Sequence, residues 1–382
     1  MAIRRFLAFI AVLTSLTGLI HFYLWRRLIV APAWPEPWPL FLTTALASLG
    51  ALLPLSPLLW RRMPRALAAP WVWLAYLWMG LSFYLLLFTL AFELPRLWFD
   101  PSVSARTWAL VAAGSTLVAG AVGMVDALAR LVVEHQRVPL DKLDPRLDGF
   151  RIVQLSDVHV GPTIGRRFVR KVVDKVNALD ADVVVITGDL VDGDVDELAK
   201  HVAPLAELKA RHGVFFITGN HEYYSGAASW VAHLRSLGLK VLRNEHVSIE
   251  REGAGIALAG VDDWSSSHFG AGKGHDVAAA LAGRPAHWPV VLLAHQPKSI
   301  EEAAAQGVDL QLSGHTHGGQ MSPFHWLVRL DQPYLKGLHR HRDTWIYVSR
   351  GTGYWGPPMR VGAPAEISLI ELSSAAATAS PG

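Results

Sequence analysis

Cysteine is absent from this chain of 382 residues, which excludes disulfide staples, thiolate metal sites and cysteine nucleophiles. A chain without cysteine is compatible with either side of a membrane. Charge is also sparse: 18% of residues are Asp, Glu, Lys or Arg, and a formal net charge of +3 is too small to argue for a nucleic-acid partner. Histidine is almost missing from the beginning, where only His21 and His135 precede Phe150, while fifteen of the 17 histidines follow it. No internal repeat is apparent. Apolar residues, in contrast, are plentiful. They make up 51% of the chain and raise its mean hydropathy to +0.27, too much for a purely soluble protein. Hydrophobic excess and histidine therefore fall in different halves, and the chain reads as bipartite.

Four stretches before residue 134 have the length of about 20 apolar residues needed to cross a hydrocarbon core: Phe6 to Trp25, Leu40 to Trp60, Trp71 to Phe92 and Thr107 to Val125. Trp25, Trp38, Trp60, Trp71, Trp98 and Trp108 stand at or near their ends, where an amphipathic ring prefers the headgroup layer. Nine basic residues (Arg4, Arg5, Arg61, Arg62, Arg65, Arg130, Arg137, Lys142, Arg146) fall on one side of such spans, against Arg26, Arg27, Arg96 and Arg106 on the other. The richer side is expected to be cytoplasmic. The expected organisation is a four-helix transmembrane region over 1–133, a linker over 134–149, a histidine-rich domain over 150–372 hanging from the inner face of a bacterial-type plasma membrane, and a disordered tail over 373–382.

From Phe150 the pattern changes. Phe150 to Leu155 reads as a strand, Arg166 to Leu179 as a helix, Asp182 to Thr187 as a strand, Val195 to Arg211 as a helix and Val214 to Thr218 as a third strand. Later strand-like runs, Ile256 to Gly260, Val290 to Ala294, Leu310 to Leu312, Trp345 to Val348 and Ile367 to Leu372, lack long helices between all of them. Mixed or antiparallel pairing is therefore expected to close a layered α/β sandwich.

Five short polar motifs each follow such a strand: SDVH at Ser156, GDLVD at Gly188, GNHE at Gly219, AHQP at Ala294 and SGHTHGG at Ser313. In open α/β sheets ligands gather beyond the carboxyl ends of strands, where loops collect side chains from distant parts of the chain. Each motif alone is an ordinary turn signal; five in the same context are a site. Asp157 and His159 are two apart, so an extended backbone would direct both to one side. Asp189 offers a carboxylate able to bridge two cations, Asn220 an amide oxygen, and His295, His315 and His317 imidazole nitrogens. This donor set suits a pair of divalent metals.

The motif set D-x-H, GD, GNH-[DE], H and GHxH resembles that of the calcineurin-like metallophosphoesterases, and it is matched without a gap by Asp157 and His159, Gly188 and Asp189, Gly219 to Glu222, His295, and Gly314 to His317. The form GHTHGGQ ending at Gln320, and SRGTGYWGPPMR from Ser349 to Arg360, are similar to the membrane-associated branch that includes YkuE- and YaeI-type phosphodiesterases and UDP-diacylglucosamine hydrolases. The resemblance covers Phe150 to about Leu372. It implies a four-layer α/β/β/α sandwich with one metal on Asp157, His159, Asp189 and His317 and a second on Asp189, Asn220, His295 and His315. It further implies His221 as the general acid or charge stabiliser, with Glu222 orienting it. Mixed oxygen and imidazole ligands favour manganese, then iron or zinc, over magnesium.

Arg350 and Arg360 lie in the segment that resembles the family's substrate side, where a guanidinium grips phosphate; each reads equally well as a surface or structural arginine. The aromatic residues Trp264, Phe324, Trp326, Tyr354 and Trp355 read either as core or as an apolar collar for acyl chains from the adjacent lipid bilayer. The preferred expectation is a phosphodiester or pyrophosphate hydrolase acting on a phosphate-containing, lipid-linked or nucleotide-sugar lipid substrate. A broad phosphomonoesterase or phosphoprotein phosphatase, and a non-catalytic membrane receptor with structural metals, are the alternatives. Oligomeric state is not legible.

Overall fold

The computed structural model describes residues 2–98, 104–269 and 274–374, with side chains from residue 8 onward except those of 9, 61 and 94–98. Two compact units are distinguished: Met1–Leu128 with Gly356–Met359, and Ala129–Trp355 with Arg360–Gly382. The first consists of helices α1 (Ala2–Trp25), α2 (Trp38–Arg62), α3 (Arg65–Trp98) and α4 (Ala105–Leu128). Among the described residues three helices are long and apolar enough to cross a membrane, over Trp38–Trp60, Arg65–Glu93 and Ala105–Leu128. The fourth expected span, Phe6 to Trp25, coincides with α1, and its opening side chains lie outside the described residues.

His21, a polar group inside this apolar unit, is paired at both ring nitrogens. Nδ1 of His21 lies 2.8 Å from the Thr17 carbonyl, and the Trp78 indole donates to Nε2 at 2.9 Å. Such pairing is required where no water can substitute. Gly50 faces the His21 ring so closely that a Cβ would lie 2.7 Å from it, which brings α1 and α2 into contact. Arg27, just beyond α1, forms an ion pair with Glu93 near the end of α3.

The second unit is built on two six-stranded sheets. Strands β1 (Leu131–Leu140), β2 (Phe150–Leu155), β3 (Val183–Thr187), β4 (Val214–Ile217), β5 (Lys240–Val241) and β12 (Ala365–Ser374) form one, in the order β1-β12-β2-β3-β4-β5. Strands β6 (Glu245–Arg251), β7 (Ala254–Gly260), β8 (Val290–Leu293), β9 (Leu310–Ser313), β10 (Gly337–His341) and β11 (Thr344–Val348) form the other, in the order β10-β11-β9-β8-β7-β6. Phe150, Ile152, Val183, Val185, Phe215 and Ile217 from the first sheet share one buried cluster with Ile256, Leu258, Val291, Leu293, Leu310 and Leu312 from the second. These residues alternate along their strands, as a face packed against another sheet requires. Helix α5 (Arg166–Asn177) turns Val169, Val172, Val173 and Val176 inward, a spacing of one helical face. The mixed-sheet sandwich matches the expected fold class.

Local departures have physical causes. The expected helix Val195 to Arg211 stops early: α6 covers Val195–Val202, and a 3-10 turn follows over Ala203–Glu207, where Pro204 has no amide hydrogen to donate. Residues 134–140 of the expected linker 134–149 enter the sheet instead, because β1 pairs in parallel with β12 from Leu131↔Ala365 to Leu140↔Ser374. That pairing also orders Ser373 and Ser374, the first residues of the expected tail; residues 375–382 lie outside the described residues.

The core between the sheets should dominate stability. Phe215 is 1% exposed inside it, so Phe215→Ala is expected to lower unfolding stability by about 3–5 kcal/mol. Denaturant titration of the full chain in detergent checks this, and a loss below about 1 kcal/mol would mean that the site collapses around the cavity.

Candidate metal centre

The five polar motifs meet beyond the carboxyl ends of β2, β3, β4, β8 and β9. Asp157 and His159 follow β2, Asp189 follows β3, Asn220 opens helix α7 (Asn220–Ser225) after β4, His295 follows β8, and His315 and His317 follow β9. Three groups have donor atoms within 4.8 Å of one another: Asp157, His159 and His317; Asp189, His295 and His315; and His159, Asp192 and His221.

Asp157 and His159 do not stand on an extended backbone. Both have φ +52°, and Asp189, His315 and His317 also have positive φ of 51°, 69° and 51°. Left-handed backbone at a residue other than glycine is strained and persists only where its surroundings enforce it. Here hydrogen bonds do so: the amide of Asp157 donates to the Gly188 carbonyl, that of His159 to the Asp189 carbonyl, and that of His315 to the Asp157 carboxylate at 3.0 Å. Two glycines make the approach possible. A Cβ on Gly219 would fall 2.2 Å from Oδ1 of Asp189, and one on Gly314 would fall 1.9 Å from Oγ of Ser156.

Nitrogen lone pairs converge in the space so formed. Nε2 of His159 lies 3.1 Å from Nε2 of His317, and Nε2 of His295 lies 3.2 Å from Nδ1 of His315. Oδ2 of Asp189 stands between the two groups, 3.1 Å from Nε2 of His295 and 4.0 Å from Nε2 of His159. His295 donates its Nδ1 hydrogen to the Thr187 carbonyl at 2.7 Å when neutral, which leaves Nε2 free to donate its lone pair to a metal. The side-chain oxygen of Asn220 is buried without a hydrogen-bond partner. A buried, unpaired amide oxygen beside carboxylates and imidazoles fits a cation-binding role. Asp189 also draws charge onto its neighbours: burial opposes protonation of His295, yet this carboxylate holds the ring well above the usual imidazole range. Burial would raise the Asp189 carboxyl, but the charges of His295 and His221 hold it well below the usual carboxylate range. Burial and the neighbouring His295 push His315 down to about 4, and burial with His159 and Arg360 pushes His317 down.

Asp192, the last residue of GDLVD, holds two of these rings. Its Oδ1 lies 2.5 Å from Nδ1 of His221 and 3.1 Å from Nδ1 of His159. Burial opposes protonation of His221, yet the carboxylates of Asp189 and Asp192 lift its pKa to about 9. Glu222, expected to orient His221, does something else. Its carboxylate accepts from the amides of Gly219 at 2.6 Å, Leu190 at 2.8 Å, Asp189 at 3.0 Å and Val191 at 3.3 Å, tying the GNHE loop to the GDLVD loop. The signal for Asp192 was present in GDLVD, where it sits three residues after Asp189, but only the turn between them shows which ring it meets.

The two arginines expected on the substrate side also depart from that reading. Arg360 is fully buried, and its guanidinium donates to the carbonyls of Gly353 at 2.5 Å, Ala363 at 2.9 Å and His317 at 3.2 Å. It braces the last metal-site loop and has no donor turned to solvent. Arg350 is partly buried and ion-paired with Glu134 and Glu366. Of the expected aromatic collar, Tyr354 is buried in the domain, whereas Trp264, Phe324, Trp326 and Trp355 are exposed. Trp355 stands with its ring 5.9 Å from that of His221.

Residues 150–319 match the model of the calcineurin-like phosphoesterase family. A metallophosphoesterase of Aquifex aeolicus is 35% identical over 244 residues, covering 63% of this chain and 92% of that protein. The chain belongs to the calcineurin-like metallophosphoesterases. The YkuE metallophosphoesterase of Bacillus subtilis is 30% identical over 275 residues, which is 69% of this chain and 94% of that protein. A transmembrane protein with metallophosphoesterase domain from Danio rerio is 42% identical over 268 residues, 68% of this chain but 61% of that protein. The chain thus spans about three fifths of the length of this vertebrate metallophosphoesterase.

If Arg360 is a brace, Arg360→Met leaves several buried carbonyls unsatisfied, at about 1–3 kcal/mol each. The expected outcome is a marked drop in thermal stability of the full chain with divalent cations still bound at the parent stoichiometry once folded. Parent-like stability would return Arg360 to the substrate side.

Proposed function

We propose that this metallophosphoesterase is a membrane-anchored phosphohydrolase that uses two divalent cations to cleave a phosphodiester or pyrophosphate bond. The supporting observation is the position of the Asp189 carboxylate between two facing pairs of imidazole nitrogens. In this reading Asp157, His159, Asp189 and His317 hold one cation, and Asp189, Asn220, His295 and His315 the other. Bound cations would polarise the phosphoryl oxygens and acidify water. Manganese is the first choice for this oxygen and nitrogen donor set.

The chain's own residues do the remaining work. His221, steered through Nδ1 by Asp192, delivers a proton to the leaving oxygen or stabilises charge on phosphorus. Asp192 and Glu222 are positioning residues, one for rings and the other for loops. A lipid-linked or nucleotide-sugar lipid substrate accords with the exposed rings of Trp264 and Trp355 on a domain that follows apolar helices. We place four spans in residues 1–133 and the catalytic domain in the cytoplasm, on the balance of nine basic residues against four.

Removing the shared carboxylate tests the site. Asp189→Asn should empty both cation positions, because an amide offers no charge to offset two adjacent dications. Elemental analysis finding two tightly bound ions in that variant would remove the bridging assignment.

His221 separates chemistry from binding. His221→Ala should keep both cations while lowering turnover roughly a hundred-fold to ten-thousand-fold. The loss should be smaller for bis-p-nitrophenyl phosphate, whose leaving group needs little protonation, than for an alkyl diester or a pyrophosphate. Undiminished turnover of both would end the assignment.

Topology has its own readout. A reporter active only outside the cytoplasm should be silent at the carboxyl end and active near Pro101; the opposite pattern would place the catalytic domain outside.

A further inference from the structure

After the GHTHGGQ motif the chain forms a short helix, α11 (His325–Val328), whose apolar side chains point away from the domain. Trp326 is 66% exposed, Leu327 59% and Leu330 83%, in a unit whose other large apolar side chains are mostly buried. Contiguous exposed apolar residues of this size mark a contact surface. Arg329 and Lys336 are exposed close by in sequence; Asp331, also exposed, is paired with Lys298 at 3.3 Å. A tryptophan with leucines and a surrounding excess of cations is the composition of a segment that lies in the headgroup layer.

The position of α11 within its unit identifies the occupant. Its first residue packs on the metal-site loop: a Cβ on Gly319 would fall 2.4 Å from Cβ of His325. Met321 bridges to Val361, and Nζ of Lys336 donates to the Gly362 carbonyl at 3.2 Å. A few residues on, Ala365 pairs with Leu131 at the start of β1. The register that sets Ser368 opposite Gln154 carries Ala365 to the level of Asp157. Leu131, α11 and the metal ligands therefore share one edge of the catalytic unit. Only Ala129 and Arg130 separate Leu131 from the end of α4, a helix apolar and long enough to cross a membrane. Connectivity alone thus keeps this edge within reach of a bilayer.

We infer that Trp326, Leu327 and Leu330 form a bilayer-docking knob that seats in the headgroup layer and holds the catalytic edge against the lipid surface. The knob adds a direct lipid contact to the covalent connections at Ala129 and on either side of Gly356–Met359. A phosphate carried on a lipid would then be presented to the metal ligands without leaving the surface. The inference rests on the apolar helices and on α11, and it stands whether or not the site is catalytic.

The absence of cysteine supplies a clean test, since each introduced thiol reports alone. Leu327→Cys, Leu330→Cys and, on the opposite edge just before β4, Lys209→Cys are made in the full chain and spin-labelled. The proteins are reconstituted in phosphatidylcholine vesicles with and without phosphatidylglycerol. Labels at 327 and 330 should show a ratio of oxygen to aqueous nickel-complex accessibility several-fold above that at 209, rising further with the anionic lipid. Adding Leu327→Asp should return the label at 330 to the value at 209, while turnover of bis-p-nitrophenyl phosphate is unchanged. Labels at 327 and 330 as open to the nickel complex as that at 209 would overturn the inference. Shielding from both oxygen and nickel would also overturn it, because that signature belongs to burial against a second copy or another protein.

Discussion

Imidazole nitrogens and carboxylates are crowded at the edge of the sandwich, and each must be satisfied there by a proton shared with a neighbour or by a cation. His159 and His317 face each other through Nε2 at 3.1 Å, His295 and His315 face at 3.2 Å, and the buried Asp189 and Asp157 carboxylates lie among them. Protons on the rings, or divalent cations, can meet these demands; the side-chain oxygen of Asn220 has no protein donor and fits a cation ligand. Much of the local structure exists to hold these groups in place. Five ligands have left-handed backbone, which costs of order 1–3 kcal/mol each, and the buried core between the two sheets provides the rigidity that keeps them there.

Two carboxylates near the site, the buried Glu222 and the partly buried Asp192, have distinct tasks. Asp192 meets imidazole nitrogens and so fixes which way His221 and His159 face. Glu222 meets four backbone amides and so fixes the distance between two loops. The difference arises from the backbone: Glu222 is in the first turn of α7, where its side chain folds back on the Gly219 amide as in a capping box, and it cannot also reach its neighbour's ring. Arg360 belongs to the same supporting set. A buried guanidinium is tolerated because carbonyl oxygens surround it, and burial lowers its pKa to about 10 without removing its charge at neutral pH.

The antiparallel return of β12 links this site to the chain's other half. Because β12 runs against β2 and β1 runs with β12, the first residue of β1 arrives at the carboxyl edge of β2. A chain entering the domain from an apolar helix therefore enters at the edge that carries the candidate metal ligands. Had β1 paired antiparallel to β12, the same connection would have emerged at the far edge.

Periodicity and motif order were sufficient for the bipartite plan, the alternating βαβαβ opening and the convergence of five polar motifs, because apolar spacing reports burial and strand ends in an α/β sheet are where polar motifs gather. Three apolar spans were legible for the same reason: crossing a bilayer needs length and hydropathy, which are properties of sequence alone. Pairing was not legible. The strand β1 hid in a stretch of mixed polarity, since an edge strand has only one partner and carries a weak alternation. The roles of Asp192, Glu222, Arg350 and Arg360 were likewise decided only in three dimensions. A charged residue in a loop has the same one-letter signature whether it faces a ring, a row of amides, another charge or the solvent, and its partners here lie from 3 to more than 200 positions away in the chain.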